Sequence, residues 1–309
     1  MRGVSAQDLI LHHYEMSPFS EKVRKVFAFK SLTWFAVEQP NMAPKPNLTP
    51  LTGGYRRIPV LQIGADIFCD TKLIVAEIER RLANPSLYPK GHSGVVDIVA
   101  DWADHRLFSM SAGPTVVELI DALPEGFMED RAAMTDGFSP DAMAQALPIL
   151  RQQLLHSCQR LERQLVQTPY LLGESFSLAD AASYHVINFA SFAPSFAMAL
   201  QSFPAILEWL DRIRAMGVGD MKPLDPAAAL SLSRDTEPEM APPADALETV
   251  GDLAIGQTVA VCADDYGKEV TTGKILWLRH DEVALLREDA DLGSLIVHFP
   301  LAGYRIGAA

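Results

Sequence analysis

The hydrophobic positions alternate between strand-like and helix-like spacing over the first 82 residues. Short apolar runs predict strands, and two segments with apolar positions three or four residues apart predict helices. The predicted strands are Leu9 to His13, Thr33 to Val37, Ile58 to Ile63 and Ala65 to Phe68, and the predicted helices are Ser20 to Lys30 and Asp70 to Leu82. The order β-α-β, then β-β-α, predicts one small mixed sheet in an α/β domain of residues 1–84.

Helical spacing then continues without strand-like runs, which predicts an all-helical domain over residues 95–217. Long helices are expected at Val95 to Ile120 and at Ala142 to Leu165, and the Gly- and Pro-bearing segment Leu123 to Pro140 has room for a short helix. Ser177 and Asp180 have the spacing of a capping box. We expect the helix that they cap to organise this domain rather than to perform chemistry.

The last third of the chain changes character twice. Residues 218–248 combine five prolines with acidic and small residues, which predicts a linker or an extension along the surface. After this segment apolar residues recur at every second position. This spacing predicts short strands at Thr258 to Cys262, Thr272 to Leu278, Val283 to Arg287 and Leu295 to Phe299. Residues 249–309 are therefore predicted to form a small all-β barrel or sandwich, docked on the rest because so short a segment buries little core alone.

Composition excludes several classes of protein. The net charge of −13 argues against a nucleic-acid partner. No apolar run approaches the roughly 20 residues that span a membrane, and Met1 to Leu11 lacks the pattern of a secretory signal, so we expect no membrane partner and a cytoplasmic location. Cys69, Cys158 and Cys262 are too far apart for a disulfide framework or a metal site, so no metal is expected.

The charge is unevenly distributed. The first 82 residues carry 11 Lys and Arg against 8 Asp and Glu, whereas residues 245–309 carry 5 against 11. The basic first segment favours an anionic ligand, although an excess of three charges also arises by chance.

The turn Ser17-Pro18-Phe19-Ser20 follows the first strand and opens the first helix. A helix N-terminus has unpaired N–H groups and a partial positive charge, so it stabilises a thiolate or carboxylate placed there. A thiol-redox enzyme has cysteines at the two outer positions, and here both are serine. The turn thus keeps the geometry of an anion site without the electron chemistry.

Three motifs in this order resemble the cytosolic glutathione transferases of the serine type. They are Ser17-Pro18-Phe19-Ser20 with Lys22-Val23-Arg24, Ile58-Pro59-Val60-Leu61 with Asp70-Thr71, and Leu171-Leu172-Gly173 with Ser177-Leu178-Ala179-Asp180. The resemblance covers about two thirds of the chain. It implies a thioredoxin-like N-terminal domain, an all-helical C-terminal domain, glutathione as co-substrate, and a homodimer.

The resemblance also implies a role for Ser17, which would donate a hydrogen bond to the glutathione thiolate. A free thiol has a pKa of about 8.5. One hydrogen bond to the charged sulfur contributes about 1.5–3 kcal/mol, which lowers that pKa by about one to two units. Ser20 is the rival donor, or else the N-cap of the helix. Tyr14 is near enough to donate as well.

The remaining ligand contacts are implied in the same way. A cis Ile58-Pro59 bond would turn the backbone of Val60 towards the peptide, and Thr71 would hold the γ-glutamyl carboxylate at a second helix N-terminus. The expected ligand-binding residues are Ser17, Phe19, Arg57, Ile58, Pro59, Val60, Asp70 and Thr71. Simple N-capping is the alternative role of Asp70 and Thr71, and a solvated surface is that of Arg56 and Arg57.

The electrophile is expected between Ser17 and the helical domain. Candidate contacts are Trp102, His105, Arg106 and Phe108. The alternative is that these four residues belong to an ordinary core and a solvent-exposed face, with no role in binding. The implied activity is transfer of glutathione to a small hydrophobic electrophile, with isomerisation or dehalogenation as variants. The alternative is a non-catalytic binding or interaction protein, in which the transferase scaffold presents the C-terminal β region to a partner.

Overall fold

The computed structural model describes residues 3–135 and 140–309, and the N-terminal part has the expected thioredoxin-like order. Its elements are β1 (Ile10–His13), α1 (Pro18–Phe29), β2 (Thr33–Glu38), α2 (Thr49–Thr52), β3 (Val60–Ile63), β4 (Asp66–Cys69) and α3 (Thr71–Arg81). β1 and β2 pair in parallel, β3 pairs antiparallel to β1, and β4 pairs antiparallel to β3. The mixed sheet predicted from the spacing is confirmed.

The all-helical region follows as expected. Its helices are α4 (Ser93–Trp102), α5 (Phe108–Glu118), α6 (Phe127–Met134), α7 (Pro140–Leu165), α8 (Leu178–Ala190), α9 (Pro194–Leu200) and α10 (Pro204–Arg214). A π-helical turn, Ala103–Leu107, joins α4 to α5, and a 3-10 turn, Ile120–Ala122, follows α5. Part of the predicted segment Leu123 to Pro140, namely residues 136–139, lies outside the described residues.

The predicted capping box at the start of α8 is present. Asp180 accepts the amide and the hydroxyl of Ser177, and it also accepts the Leu171 amide and the Trp209 indole N–H. A buried carboxylate with four donors fixes the start of α8 relative to its neighbours. No helix among the described residues is long and apolar enough to cross a membrane.

Residues 218–248 contain regular structure that the proline content concealed. β5 (Asp220–Pro223) pairs in parallel with β2, and α11 (Pro226–Arg234) follows it. Ala229 of α11 packs on Ile10, Phe35 and Val37, so this helix covers one face of the N-terminal sheet.

The extra C-terminal β region is confirmed, and its main strands continue the N-terminal sheet. The strands are β6 (Thr249–Val250), β7 (Leu253–Ala254), β8 (Thr258–Ala263), β9 (Thr271–Leu278), β10 (Glu282–Asp289), β11 (Gly293–Pro300) and β12 (Tyr304–Ala308). β11 pairs in parallel with β4, which gives a ten-stranded sheet in the order β12-β8-β9-β10-β11-β4-β3-β1-β2-β5. The junction hides the edge of β4, whose backbone groups would otherwise be unpaired.

The C-terminal strands share a hydrophobic core with the N-terminal region. Leu48, Leu51 and Ile67 lie in one buried cluster with Leu285 and Val297. Because this core is common to both regions, the C-terminal strands are held in a fixed position beside β4 and α2.

Candidate functional site

Ser17 lies at the N-cap of α1, which begins two residues earlier than predicted. The Oγ of Ser17 accepts the backbone N–H of Ser20 at 3.2 Å. An N-cap hydroxyl uses one lone pair in this bond and keeps its proton for another acceptor. The side chain is nearly enclosed, since only 2% of Ser17 is exposed.

The two rival donors lie beside Ser17. Ser20 is not the N-cap, so that alternative was wrong; it lies inside the first turn, completely buried, and its Oγ has no partner among the described residues. Tyr14 is half-buried, and burial of its hydroxyl raises the pKa, although Arg131 and a hydrogen bond with Ser17 act against the rise. Both rivals are uncharged at neutral pH, so each can act only as a hydrogen-bond donor.

The start of β3 contributes the next group of residues expected to bind ligand. The Ile58–Pro59 bond is cis, as the resemblance implied. Val60 is the first residue of β3, which is paired with β1 on one side and β4 on the other. Because Val60 is already paired on both sides, the peptide contact expected at Val60 moves to the backbone at Ile58, where the ladder has not yet begun.

The start of α3 lies on the other side of α1. Asp70 caps α3 by accepting the Lys72 amide at 2.9 Å, and its backbone has φ +74°. Non-glycine residues rarely adopt such a φ and are often found at binding sites. Thr71, of which 5% is exposed, accepts a hydrogen bond from Lys22 Nζ at 3.1 Å.

A buried polar chain continues from Thr71 into the helical domain. Lys22 Nζ lies 2.5 Å from Asp104 Oδ2, and His185 Nε2 lies 3.0 Å from Asp104 Oδ1. Burial alone would raise the pKa of Asp104, but Lys22 and His185 hold it at about 2. Burial lowers the pKa of His185. The chain at neutral pH is therefore an ammonium, a carboxylate and a neutral imidazole.

Sequence reasoning missed this chain because a lysine in an amphipathic helix and an aspartate in a long helix are usually solvated. Asp104 is buried because it lies on the π-helical turn between α4 and α5. Such turns shift the register of a helix locally and often occur at functional sites.

Aromatic rings of two domains meet next to Ser17. Phe19 contacts Phe108 and His185 with ring centroids 4.8 Å apart in both pairs, and Phe108 also reaches Phe189. Of the four residues expected to contact an electrophile, only Phe108 belongs to this wall. His105 and Arg106 are exposed and bond Asp101 and Gln153, while Trp102 packs against the domain core.

The C-terminal β region lies over the two arginines. Arg57 pairs with the Asp265 carboxylate and the Tyr266 carbonyl, and its guanidinium stacks 3.9 Å from the centre of the Tyr266 ring. Arg56 pairs with Asp130 and Glu269. The alternative that these arginines form a solvated surface is wrong.

Tyr304 makes a further contact of this kind. Its hydroxyl donates to Asp70 Oδ2 at 3.1 Å and lies 3.3 Å from the Tyr55 hydroxyl. We call Asp265, Tyr266 and Tyr304 together the site cover, because each touches a residue expected to bind ligand.

Comparison with known proteins identifies the family. Residues 11–86 match the glutathione S-transferase N-terminal domain, and residues 75–212 match the C-terminal domain. A GST-like protein from Pseudomonas syringae is 34% identical over 98% of this chain and 100% of that chain, with a TM-score of 0.81. The chain belongs to the glutathione S-transferase superfamily. Because the Pseudomonas protein aligns over nearly the whole chain, its similarity includes the region beyond residue 212.

Other solved structures share the fold at lower identity. A glutathione S-transferase from Methylobacillus flagellatus, solved with glutathione bound, is 22% identical over 68% of this chain and 98% of its own, with a TM-score of 0.51. A β-etherase from Sphingobium is 17% identical over 74% of this chain and 100% of its own, with a TM-score of 0.53. No curated protein sequence matches the chain.

The residues expected to bind ligand in this transferase fold lie on three segments. Ser17 and Phe19 belong to the first turn of α1, Ile58, Pro59 and Val60 lie at the start of β3, and Asp70 and Thr71 begin α3. The hydrogen bond from Lys22 to Thr71 joins the first and the third segment. Arg57 precedes the second segment and lies under the site cover. No group of three or more His, Cys, Asp or Glu side chains within residues 3–135 and 140–309 is placed to hold a metal ion.

Proposed function

We propose that the chain binds glutathione between the first turns of α1 and α3 and transfers it to a small hydrophobic electrophile. The observation that carries the proposal is the position of Ser17. Its Oγ accepts the Ser20 amide at 3.2 Å, and it retains an O–H that can donate to a thiolate. The first turn of α1 adds the favourable end of a helix dipole.

The proposed site can also hold the charged ends of the tripeptide. The γ-glutamyl carboxylate would lie at the N-terminus of α3, where Thr71 is bonded to the buried ammonium of Lys22. Asp70 supplies a carboxylate for the α-amino group. Arg57 supplies a guanidinium for the glycyl carboxylate.

The aromatic wall defines the class of second substrate. Phe19 in the first turn of α1 contacts Phe108, which in turn contacts Phe189, and this apolar ring surface suits a small hydrophobic electrophile. A serine forms no mixed disulfide with glutathione, so addition or substitution is the proposed reaction rather than disulfide reduction. A two-fold homodimer and a cytoplasmic location belong to the same proposal, from the likeness to the family.

Ser17→Ala, with Ser20→Ala as the matched control, tests the proposed function. Loss of the donor raises the pKa of the thiol of bound glutathione by about one to two units. We therefore expect kcat/KM towards a chloro-nitrobenzene substrate to fall about 10-fold or more at neutral pH. The pH-rate profile moves to higher pH. Ser20→Ala keeps both, because its hydroxyl has no partner among the described residues.

Circular dichroism and urea unfolding check that both variants fold, since Ser17→Ala also removes an N-cap worth about 1 kcal/mol. Equal losses in the two variants, or an unchanged profile in Ser17→Ala, would show that Ser17 is not the donor.

The second candidate is a non-catalytic glutathione-binding or interaction protein. Its support is the enclosure of the site, since Ser17 is almost completely buried and the site cover occupies Arg57 and Asp70. Glutathione binding without activity towards any electrophile, in a folded protein, would favour this candidate over the transferase.

A further inference from the structure

The loop between β8 and β9 presents the same chemical groups to Arg57 as the end of a peptide. Asp265 offers a carboxylate, and Tyr266 offers the adjacent main-chain carbonyl. The glycyl end of glutathione also carries a carboxylate next to a peptide carbonyl. Arg57 is the guanidinium that the proposed function assigns to that end, so the loop and the ligand need the same donors.

The loop is held lightly where it touches Arg57 and firmly beyond it. The Asp265 side chain is 42% exposed, so solvent screens its ion pair with Arg57. Downstream, Thr271 Oγ1 donates to the carbonyl of Thr52 at 2.9 Å, and a Cβ on Gly54 would lie 2.7 Å from the Val270 carbonyl oxygen. Besides the contacts with Arg57, residues 264–267 make two backbone hydrogen bonds, from Asp264 to the Gly303 carbonyl at 3.0 Å and from Gly267 to the Met134 carbonyl at 2.8 Å. Displacement of the loop has to break only these contacts and can leave the strands on either side paired.

The contact leaves Arg57 incompletely satisfied. Its Nε is buried and has no acceptor among the described residues. A buried donor without a partner is destabilising. A ligand carboxylate that accepts from Nε and Nη2 together would satisfy this donor, whereas the loop in its present position does not.

The charges of the two regions favour the same contact. The first 82 residues have a basic excess and residues 245–309 have an acidic one, and Arg56 and Arg57 meet Glu269 and Asp265 across the boundary. Glutathione is itself an anion at neutral pH, so it competes with the acidic loop for the same cations.

We propose that residues 264–267 occupy the glycyl-carboxylate end of the glutathione site, and that glutathione binds by displacing them. This inference rests on the proposed function. Displacement lowers the apparent affinity by the fraction of molecules in which the loop is open. The C-terminal β region is thus an internal competitor that sets how much glutathione is needed to fill the site.

Isothermal titration with glutathione tests the competition in the full chain. Asp265→Asn removes the carboxylate that pairs with Arg57, and Asp264→Asn is the matched control, because Asp264 is an exposed aspartate in the same loop. Both changes remove one negative charge near an anionic ligand. We expect Asp265→Asn to bind glutathione about 3- to 10-fold more tightly than the wild type, and Asp264→Asn to stay within twofold of it.

Three other outcomes are decisive. Equal or weaker binding by Asp265→Asn, with measurable binding by the wild type, overturns the competition and leaves the proposed function intact. Binding by Asp265→Asn alone supports both, since the wild-type loop then excludes glutathione. Binding by neither protein at millimolar glutathione overturns the proposed function and the competition with it.

Hydrogen exchange gives a second measurement that does not depend on the variant. The Gly267 amide donates to the Met134 carbonyl at 2.8 Å. We expect this amide to exchange faster in wild-type protein saturated with glutathione, because the loop has left its place. Slower exchange would show that the loop closes over glutathione instead of competing with it, which contradicts the inference.

Discussion

The C-terminal β region touches the N-terminal region in two places of different construction. At the sheet junction, β11 pairs with β4, and His298 is buried between Asp66 at 3.0 Å and Glu282 at 2.9 Å. The His298 ring also stacks on Phe68 with centroids 4.1 Å apart. At the site cover, three side chains reach residues expected to bind ligand, without strand pairing between the two partners.

The difference indicates that the sheet junction attaches the C-terminal β region to the protein, whereas the site cover only occupies residues expected to bind ligand. The junction combines backbone pairing, ring stacking and buried charges, so opening it would expose many groups together. The site cover combines a partly exposed ion pair, a ring contact and two hydrogen bonds, each of small net energy. We therefore expect the C-terminal region to stay attached while the cover opens.

The largest expected effect belongs to the junction. His298→Ala removes a buried cation between two carboxylates and leaves a cavity beside Phe68, so the free energy of unfolding falls by about 3 kcal/mol or more. Urea unfolding followed by circular dichroism measures it. His280→Ala, at an exposed histidine in the neighbouring turn, is the control. A loss below 1 kcal/mol at His298 would remove the distinction between the two contacts.

The pH dependence of stability gives a second test of the buried charges at the sheet junction. Burial alone would lower the pKa of His298, but Asp66 and Glu282 raise it to about 9. A group whose pKa is raised on folding contributes its full stability below its unfolded value of about 6.5 and loses it as the pH rises through about 9. The loss amounts to about 3 kcal/mol by this shift.

Glu282 also pairs with Arg80 and Arg279, which stay charged throughout this range. We expect the difference in unfolding free energy between wild type and His298→Ala to shrink steadily from pH 6.5 to pH 9. A difference that is constant or grows over this range would show that His298 is not protonated in the folded protein.

The smallest expected effect belongs to the site cover. Tyr304→Phe keeps the ring and removes the hydrogen bond to Asp70, so the free energy of unfolding falls by about 1 kcal/mol. The same urea titration measures it. A loss as large as that of His298→Ala would mean that the cover is part of the structural framework, and our account of a displaceable contact would then be wrong.

Local signals predicted much of the fold. The thioredoxin-like order, the helical domain and the capping box at Ser177 depend on spacing and on residues within one turn of one another. β5 and α11 were not predicted, because Asp220-Met221-Lys222-Pro223 has no strand pattern and is stabilised by β2, far away in sequence. The pairing of β11 with β4 was not predicted either, because the sequence of an edge strand does not show which other strand will pair with it.

Only those residues of the candidate site that belong to short sequence motifs could be predicted. Ser17, Pro59 and Thr71 were selected from short patterns; the structure confirms the cis Ile58–Pro59 bond, and the ligand-binding roles stay predictions. Lys22 and Asp104 were missed, because spacing does not show that two charged residues from different domains neutralise each other. Asp265 was missed for the same reason, since an acidic residue in a turn is usually solvated.

A crystal structure with glutathione would show the thiol donor and the position of the loop in one measurement. We expect a glutathione sulfur within hydrogen-bond distance of Ser17 Oγ, a glycyl carboxylate on Arg57, Asp265 displaced, and β11 still paired with β4. An empty groove at millimolar glutathione, or a sulfur bonded to Ser20 or Tyr14 with Asp265 still on Arg57, would contradict this expectation.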